Sequence, residues 1–203
     1  MLTARLLAAF ARTMSGARPR WVGSKPEPTQ RIYFANHTSH MDAIVIWAVL
    51  PPAVRAVVRP VAAADYWSVG RVRRHLAMRE FNAVLIDRTG ESREPGESPV
   101  DVLIEAMGTR YSLIFFPEGT RGSDPEPREF RSGLYHLAQR LPNVELIPVY
   151  LSNLDRVMPR GAHVPVPLQC EVIFGPPLAR EEAETKNDFL VRARESVSSL
   201  RPR

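Results

Sequence analysis

Apolar residues along this chain gather in short uninterrupted runs, and the stretches between them carry proline, glycine or a capping residue. Residues 31–35 (RIYFA) are short enough to be a buried strand, and a second apolar run over 43–50 is stopped by Pro51 and Pro52. Further strands are predicted over 55–62, 81–86, 111–116 (stopped by Pro117), 144–151 and 168–174. Helices are predicted from near Ser39 through the 43–50 run, over 65–78 with Asp65 as cap, and from Ser98 and Pro99 to about Gly108. Two more fall over 133–140 and, as one polar helix or two short ones, over 179–200, while 21–30, 89–98 and 122–127 read as loops. Strands alternating with helices, without an internal repeat, predict one α/β domain with a mixed, mostly parallel sheet flanked by helices.

The first 25 residues have a different pattern. Leu2, Leu6, Phe10 and Met14 recur at every fourth position, basic residues flank them, and no acidic residue occurs before Glu27. This predicts a basic amphipathic helix and linker over 1–25, with the main domain over 26–203. The helix suits the surface of an anionic bilayer, or a plain packing role that closes the domain. No apolar window reaches the roughly 18 residues a spanning helix needs, so membrane contact is expected to be peripheral, at the cytoplasmic face.

Composition narrows the partners. With 203 residues and 44% hydrophobic content the chain can bury about 70% of its unfolded surface in a real core. The formal charge is +5, carried almost entirely by arginine, whose planar guanidinium suits phosphate. Basic residues are not interleaved with aromatic ones in the manner that stacks bases, so no nucleic-acid partner is expected. The single Cys170 excludes an intramolecular disulfide.

The candidate chemistry lies in a polar island, Asn36-His37-Thr38-Ser39-His40-Met41-Asp42, between the first two apolar runs. On one helix, positions five apart lie about 140° out of phase, so His37 and Asp42 meet only if His37 is in the loop and Asp42 in the first turn. Ser39 and Asp42 have capping-box spacing, with Ser39 as N-cap and Asp42 at the third helical position, which also offers Asp42 a purely capping role. An Asp42–His37 hydrogen bond would fix the imidazole tautomer and leave a general base. No G-x-S-x-G is present and Cys170 has no neighbouring base, so such a dyad would activate the hydroxyl of a bound acceptor. A metal held by His37, His40 and Asp42 is the competing reading, but further ligands are lacking, and neither metal nor cofactor is expected. Phe116-Pro117-Glu118-Gly119-Thr120-Arg121 closes a strand in a turn that offers amides and a guanidinium to an anion, and Arg88, at another strand end, could reach the same pocket.

In order, His37-x4-Asp42, Val84 to Arg88, Phe116 to Arg121 and Ile147-Pro148-Val149 resemble the four blocks of the lysophospholipid (1-acylglycerol-3-phosphate) acyltransferases. Phe130 to Gly133 and Met158 to Gly161 resemble segments common in bacterial members. The resemblance implies the glycerolipid acyltransferase fold and acyl transfer from acyl-CoA or acyl-carrier protein, as co-substrates, to a lysophospholipid hydroxyl. His37 would be the base, Asp42 its orienting partner, Arg88, Glu118, Gly119, Thr120 and Arg121 the acceptor-binding residues, and Pro148 part of the acyl or donor site. Other lysolipids, including aminolipids, or a catalytically silent lipid-binding role, are the alternatives it leaves open. The chain departs from the pattern at Asn82, where glycine usually opens the second block.

Overall fold

The computed structural model describes residues 2–67, 70, 74–87, 98–122, 124, 126–154 and 170–202; Arg88, the predicted 89–98 loop except Ser98, and the 158–161 segment fall outside this set. Seven strands form one sheet: β1 (Arg18–Trp21), β2 (Arg31–Ala35), β3 (Val58–Ala63), β4 (Val84–Ile86), β5 (Ser112–Phe115), β6 (Glu145–Ser152) and β7 (Glu171–Phe174). Their order is β1-β7-β6-β2-β5-β3-β4, and every neighbouring pair is parallel except the antiparallel β6 and β7.

The uninterrupted apolar runs have a simple cause. β2 lies between β5 and β6 with both faces covered, so all five of its residues are buried. Tyr33 and Ala35 join a core with helices α1 (Leu2–Ser15) and α2 (Asp42–Val49). Ile32 and Phe34 point the other way, toward α5 (Pro99–Met107), α6 (Gly133–Arg140) and α7 (Lys186–Ser198). Short helices α3 (Pro52–Arg55) and α4 (Ala64–Trp67) flank β3, and a π-helical turn, Leu76–Glu80, leads toward β4.

The expected α/β domain with a mixed, mostly parallel sheet is present, and the Ser98 cap begins α5 as anticipated. Its hydroxyl accepts from the Asp101 amide, while the Asp101 carboxylate accepts from the Ser98 amide. Several boundaries differ from expectation. Residues 18–21, assigned to the helix-and-linker segment, form an edge strand on β7, and Trp21 stacks on Phe174 at 4.0 Å. Its RPRW sequence carries charge and proline, which protect an exposed edge and make it read like a linker. The strand expected from residue 55 starts at Val58, because Pro52–Arg55 completes a helical turn first. Of the predicted 65–78 helix, α4 begins at Ala64 with Asp65 in its first turn, and residues 68, 69 and 71–73 lie outside the described residues. The last helix starts only at Lys186, behind a Thr185 cap.

Helix α1 packs on α2 through Ala8 and Ala11, both buried. The large side chains of its other stripe, Leu6 and Phe10, are each 62% exposed. Packing and a free apolar face therefore coexist on opposite sides of one helix.

Asn82, the departure from the resemblance, has φ of +48°. This is the left-handed region that favours glycine, and asparagine is the residue that next best tolerates it. Arg59 holds the conformation by donating to the Asn82 carbonyl at 2.9 Å and the Ala106 carbonyl at 2.8 Å. Asn82→Gly should therefore change stability by less than about 0.5 kcal/mol, whereas Asn82→Val should cost about 1–2 kcal/mol, both measured by chemical denaturation.

Candidate active site

The site starts where β2 ends. The buried Asn36 side chain replaces a rung of the sheet: it donates to the Leu151 carbonyl at 3.1 Å and accepts from the Leu151 amide at 2.8 Å. Beyond it the chain turns out of the sheet around Asp42, which is fully buried at the first position of α2. One oxygen of Asp42, Oδ2, accepts from His37 Nδ1 at 2.7 Å, from the Thr38 amide at 2.7 Å and from the Ser39 amide at 2.9 Å.

The expected pairing of His37 with Asp42 is thus present in the geometry, but the helix start is not the one predicted. Met41, not Ser39, is the N-cap residue, Asp42 is first and not third in the helix, and the Ser39 hydroxyl accepts from the Met41 amide at 3.2 Å. The donors converging on Oδ2 draw residues 37–39 around the carboxylate and keep them out of the helix. A carboxylate only accepts, so against Asp42 the Nδ1 of His37 is the donor, and Nε2 is the ring nitrogen not used in this contact. The His37 ring stacks on Phe116 at 4.2 Å with planes 20° apart, which fixes its tilt.

The second half of the site is the turn after β5. Gly119 has φ of +72°, and its amide donates to the Phe116 carbonyl at 3.1 Å. Glu118 is buried, and its Oε1 accepts from the His37 amide at 2.9 Å while Arg128 approaches Oε2 at 3.4 Å. The Gly122 amide donates to the His37 carbonyl at 2.7 Å. Both peptide groups of His37 are therefore held by the 118–122 turn. Burial pushes the Glu118 pKa up, although the His37 amide and Arg128 oppose that rise.

A cavity of about 1360 Å³ opens along the ends of the central strands, where open α/β sheets gather ligands. Ala43, Ile44, Trp67 and Phe81 form one apolar wall, and Ile86, Val100 and Leu103 another. His37, Gly119, Thr120 and Arg121 also line it, so these predicted residues share one space, whereas the Glu118 carboxylate turns toward the backbone of His37. Arg88 lies outside the described residues. Among those residues no group of three or more His, Cys, Asp or Glu is assembled to hold a metal. Three arginines absent from the sequence-derived site belong to it: Arg128, which binds Glu118 and both oxygens of Thr120, and Arg131 and Arg140, which line the cavity. The signal for Arg131 was its place in the Phe130 to Gly133 segment.

The chain is similar to known proteins in sequence and in fold. The acyltransferase family model matches residues 22–152. The mouse 1-acyl-sn-glycerol-3-phosphate acyltransferase alpha is 28% identical over 184 residues, 87% of this chain and 60% of the relative. The Escherichia coli 1-acyl-sn-glycerol-3-phosphate acyltransferase is 28% identical over 138 residues, 62% of this chain and 51% of the relative. The chain thus spans about half to three-fifths of these curated relatives. The crystal structure of the 1-acyl-sn-glycerophosphate acyltransferase PlsC from Thermotoga maritima superposes with a TM-score of 0.71, at 20% identity, over all of this chain and 80% of that one. At that identity the likeness establishes the fold.

The buried Glu118 makes a pH prediction. A carboxyl whose pKa is higher folded than unfolded favours the native state below the unfolded value, and that contribution is lost as pH rises through the folded value. Glu118→Gln keeps an acceptor for the His37 amide and removes the titration. Its stability relative to the unsubstituted protein should therefore increase from pH 4 to pH 7, as measured by denaturant midpoints.

Proposed function

The chain belongs to the acyltransferase family, and from that premise we propose that it transfers a fatty acyl group from acyl-CoA or acyl-carrier protein to the free hydroxyl of 1-acylglycerol 3-phosphate. The product is phosphatidic acid. The observation that carries this reading is the 2.7 Å contact between His37 Nδ1 and Asp42, placed on the wall of a cavity that is apolar on two sides and lined by arginine. An amphiphile with a phosphate head and a hydroxyl to be acylated suits those walls.

The Nε2 of His37 accepts the hydroxyl proton as the acceptor oxygen attacks the thioester carbonyl. Asp42 stabilises the imidazolium that forms, through the Nδ1 hydrogen. Collapse of the tetrahedral intermediate breaks the C–S bond, and the imidazolium returns the proton to the departing thiolate. No protein nucleophile takes part; among the described residues, no hydrogen bond joins the His37 ring to a serine or cysteine. Gly119, Thr120 and Arg121 bind the acceptor's phosphate and glycerol, with Arg88 joining them as the resemblance implies. Glu118 contributes by holding the His37 backbone.

The exposed side of α1 supports a peripheral position on an anionic bilayer, at the cytoplasmic face. Leu6 and Phe10 present apolar surface, while Arg5 and Arg12 supply positive charge on the same helix. Among the described residues, no helix is long and apolar enough to cross a membrane.

In an assay with lysophosphatidic acid and long-chain acyl-CoA, His37→Ala should lower kcat about 10²–10⁴-fold, the usual contribution of a general base. A near-full rate would remove His37 from the mechanism. Replacing Leu6 and Phe10 together by serine should leave the unfolding midpoint nearly unchanged, since both are exposed, and should reduce recovery with anionic vesicles in flotation.

A further inference from the structure

We propose that Arg131 is a further substrate-binding residue whose guanidinium seats a substrate phosphate against the Gly119 turn. The proposal rests on the acyl-transfer reading of this cavity and adds a contact to it.

Arg131 lines the cavity together with His37, Gly119 and Arg121. Its position is set from two directions. The Arg131 amide donates to the Pro117 carbonyl at 2.8 Å, which ties the residue to the turn after β5. Its side chain lies across Gly119 so closely that a Cβ there would sit 2.8 Å from Nε and 2.9 Å from Cδ. Glycine at 119 thus satisfies both the positive φ of the turn and the approach of this arginine. The neighbouring guanidiniums are committed to the protein: Arg128 to Glu118 and Thr120, and Arg140, also on the cavity wall, to Asp101. Among the described residues Arg131 has no such hydrogen bond or ion pair. Five N–H donors on a held stem, beside a backbone turn, form a site for a phosphate that can accept two at once. Ser132 and Gly133 line the cavity next to it, and the positive end of α6 adds to the same field. A phosphate ester is common to both substrates: the acceptor carries one on glycerol, and the donor carries one on its pantetheine arm.

Steady-state kinetics of Arg131→Met, which keeps the apolar stem, and Arg131→Lys, which keeps the charge, test the assignment. The acceptor is lysophosphatidic acid or phosphate-free monoacylglycerol, and the donor is acyl-CoA or a phosphate-free N-acetylcysteamine thioester. The methionine variant should raise KM about ten- to hundredfold for one phosphate-bearing substrate. The lysine variant should lose less, and the phosphate-free counterpart should show no change. The affected substrate identifies the source of the phosphate. Unchanged KM for both phosphate-bearing substrates overturns the proposal, and so does an equal loss with the phosphate-free ones, which would make Arg131 a brace of the turn. If the unsubstituted protein transfers no acyl group, the reaction assigned above fails. Calorimetry with glycerol 3-phosphate and with CoA then decides for Arg131: weaker binding by the methionine variant supports the site, and equal or undetectable binding in both proteins overturns it.

Discussion

A single carboxylate oxygen, Oδ2 of Asp42, gathers an imidazole and two backbone amides, and the arrangement of the candidate site depends on it. A fully buried carboxylate is costly unless charge-assisted hydrogen bonds replace its hydration. Here the replacing donors belong to the three consecutive residues 37–39. The need to satisfy one buried charge therefore dictates the path of the loop, the late start of α2 and the orientation of the histidine ring. The orientation of the His37 imidazole therefore cannot be separated from the stability of the strand-to-helix junction.

The surrounding groups divide their tasks by burial. Asn36, Glu118 and Arg128 spend their polar atoms on the protein, holding β2 to β6 and the His37 peptide to the turn after β5. Apolar walls on both sides of the sheet end shape the cavity without competing for polar substrate groups. The site thus combines a hydrogen-bonded polar frame with two apolar walls.

Much of the fold was legible because doubly covered parallel strands must be apolar throughout, as in residues 31–35 and 145–152. The Ser98–Pro99 start of α5 was legible for a local reason, since its cap lies within four residues. The edge strand β1 was not, because RPRW makes its pairing with β7 across about 150 residues and carries no buried face of its own. Helix α1 was legible as an amphipathic helix but not in its packing: its large apolar residues Leu6 and Phe10 mark the exposed side, and small alanines allow the close approach to α2. Of the site, the His37–Asp42 pair followed from spacing. The contact of Glu118 with the His37 amide did not, because it joins positions 81 residues apart.

That long-range contact makes strand register the measure of the site. Ile32, Tyr33 and Phe34 of β2 stand opposite Leu113, Ile114 and Phe115 of β5, and only a few residues separate these rungs from His37 and Glu118. A slip of one rung would move the two loops about 3.3 Å relative to each other and exchange the faces on which β5 presents its side chains. No hydrogen bond spans such an error. The alternation of β2 residues between two filled cores therefore acts as a vernier, converting the packing of side chains remote from the chemistry into ångström-scale alignment of two loops that meet nowhere else in sequence.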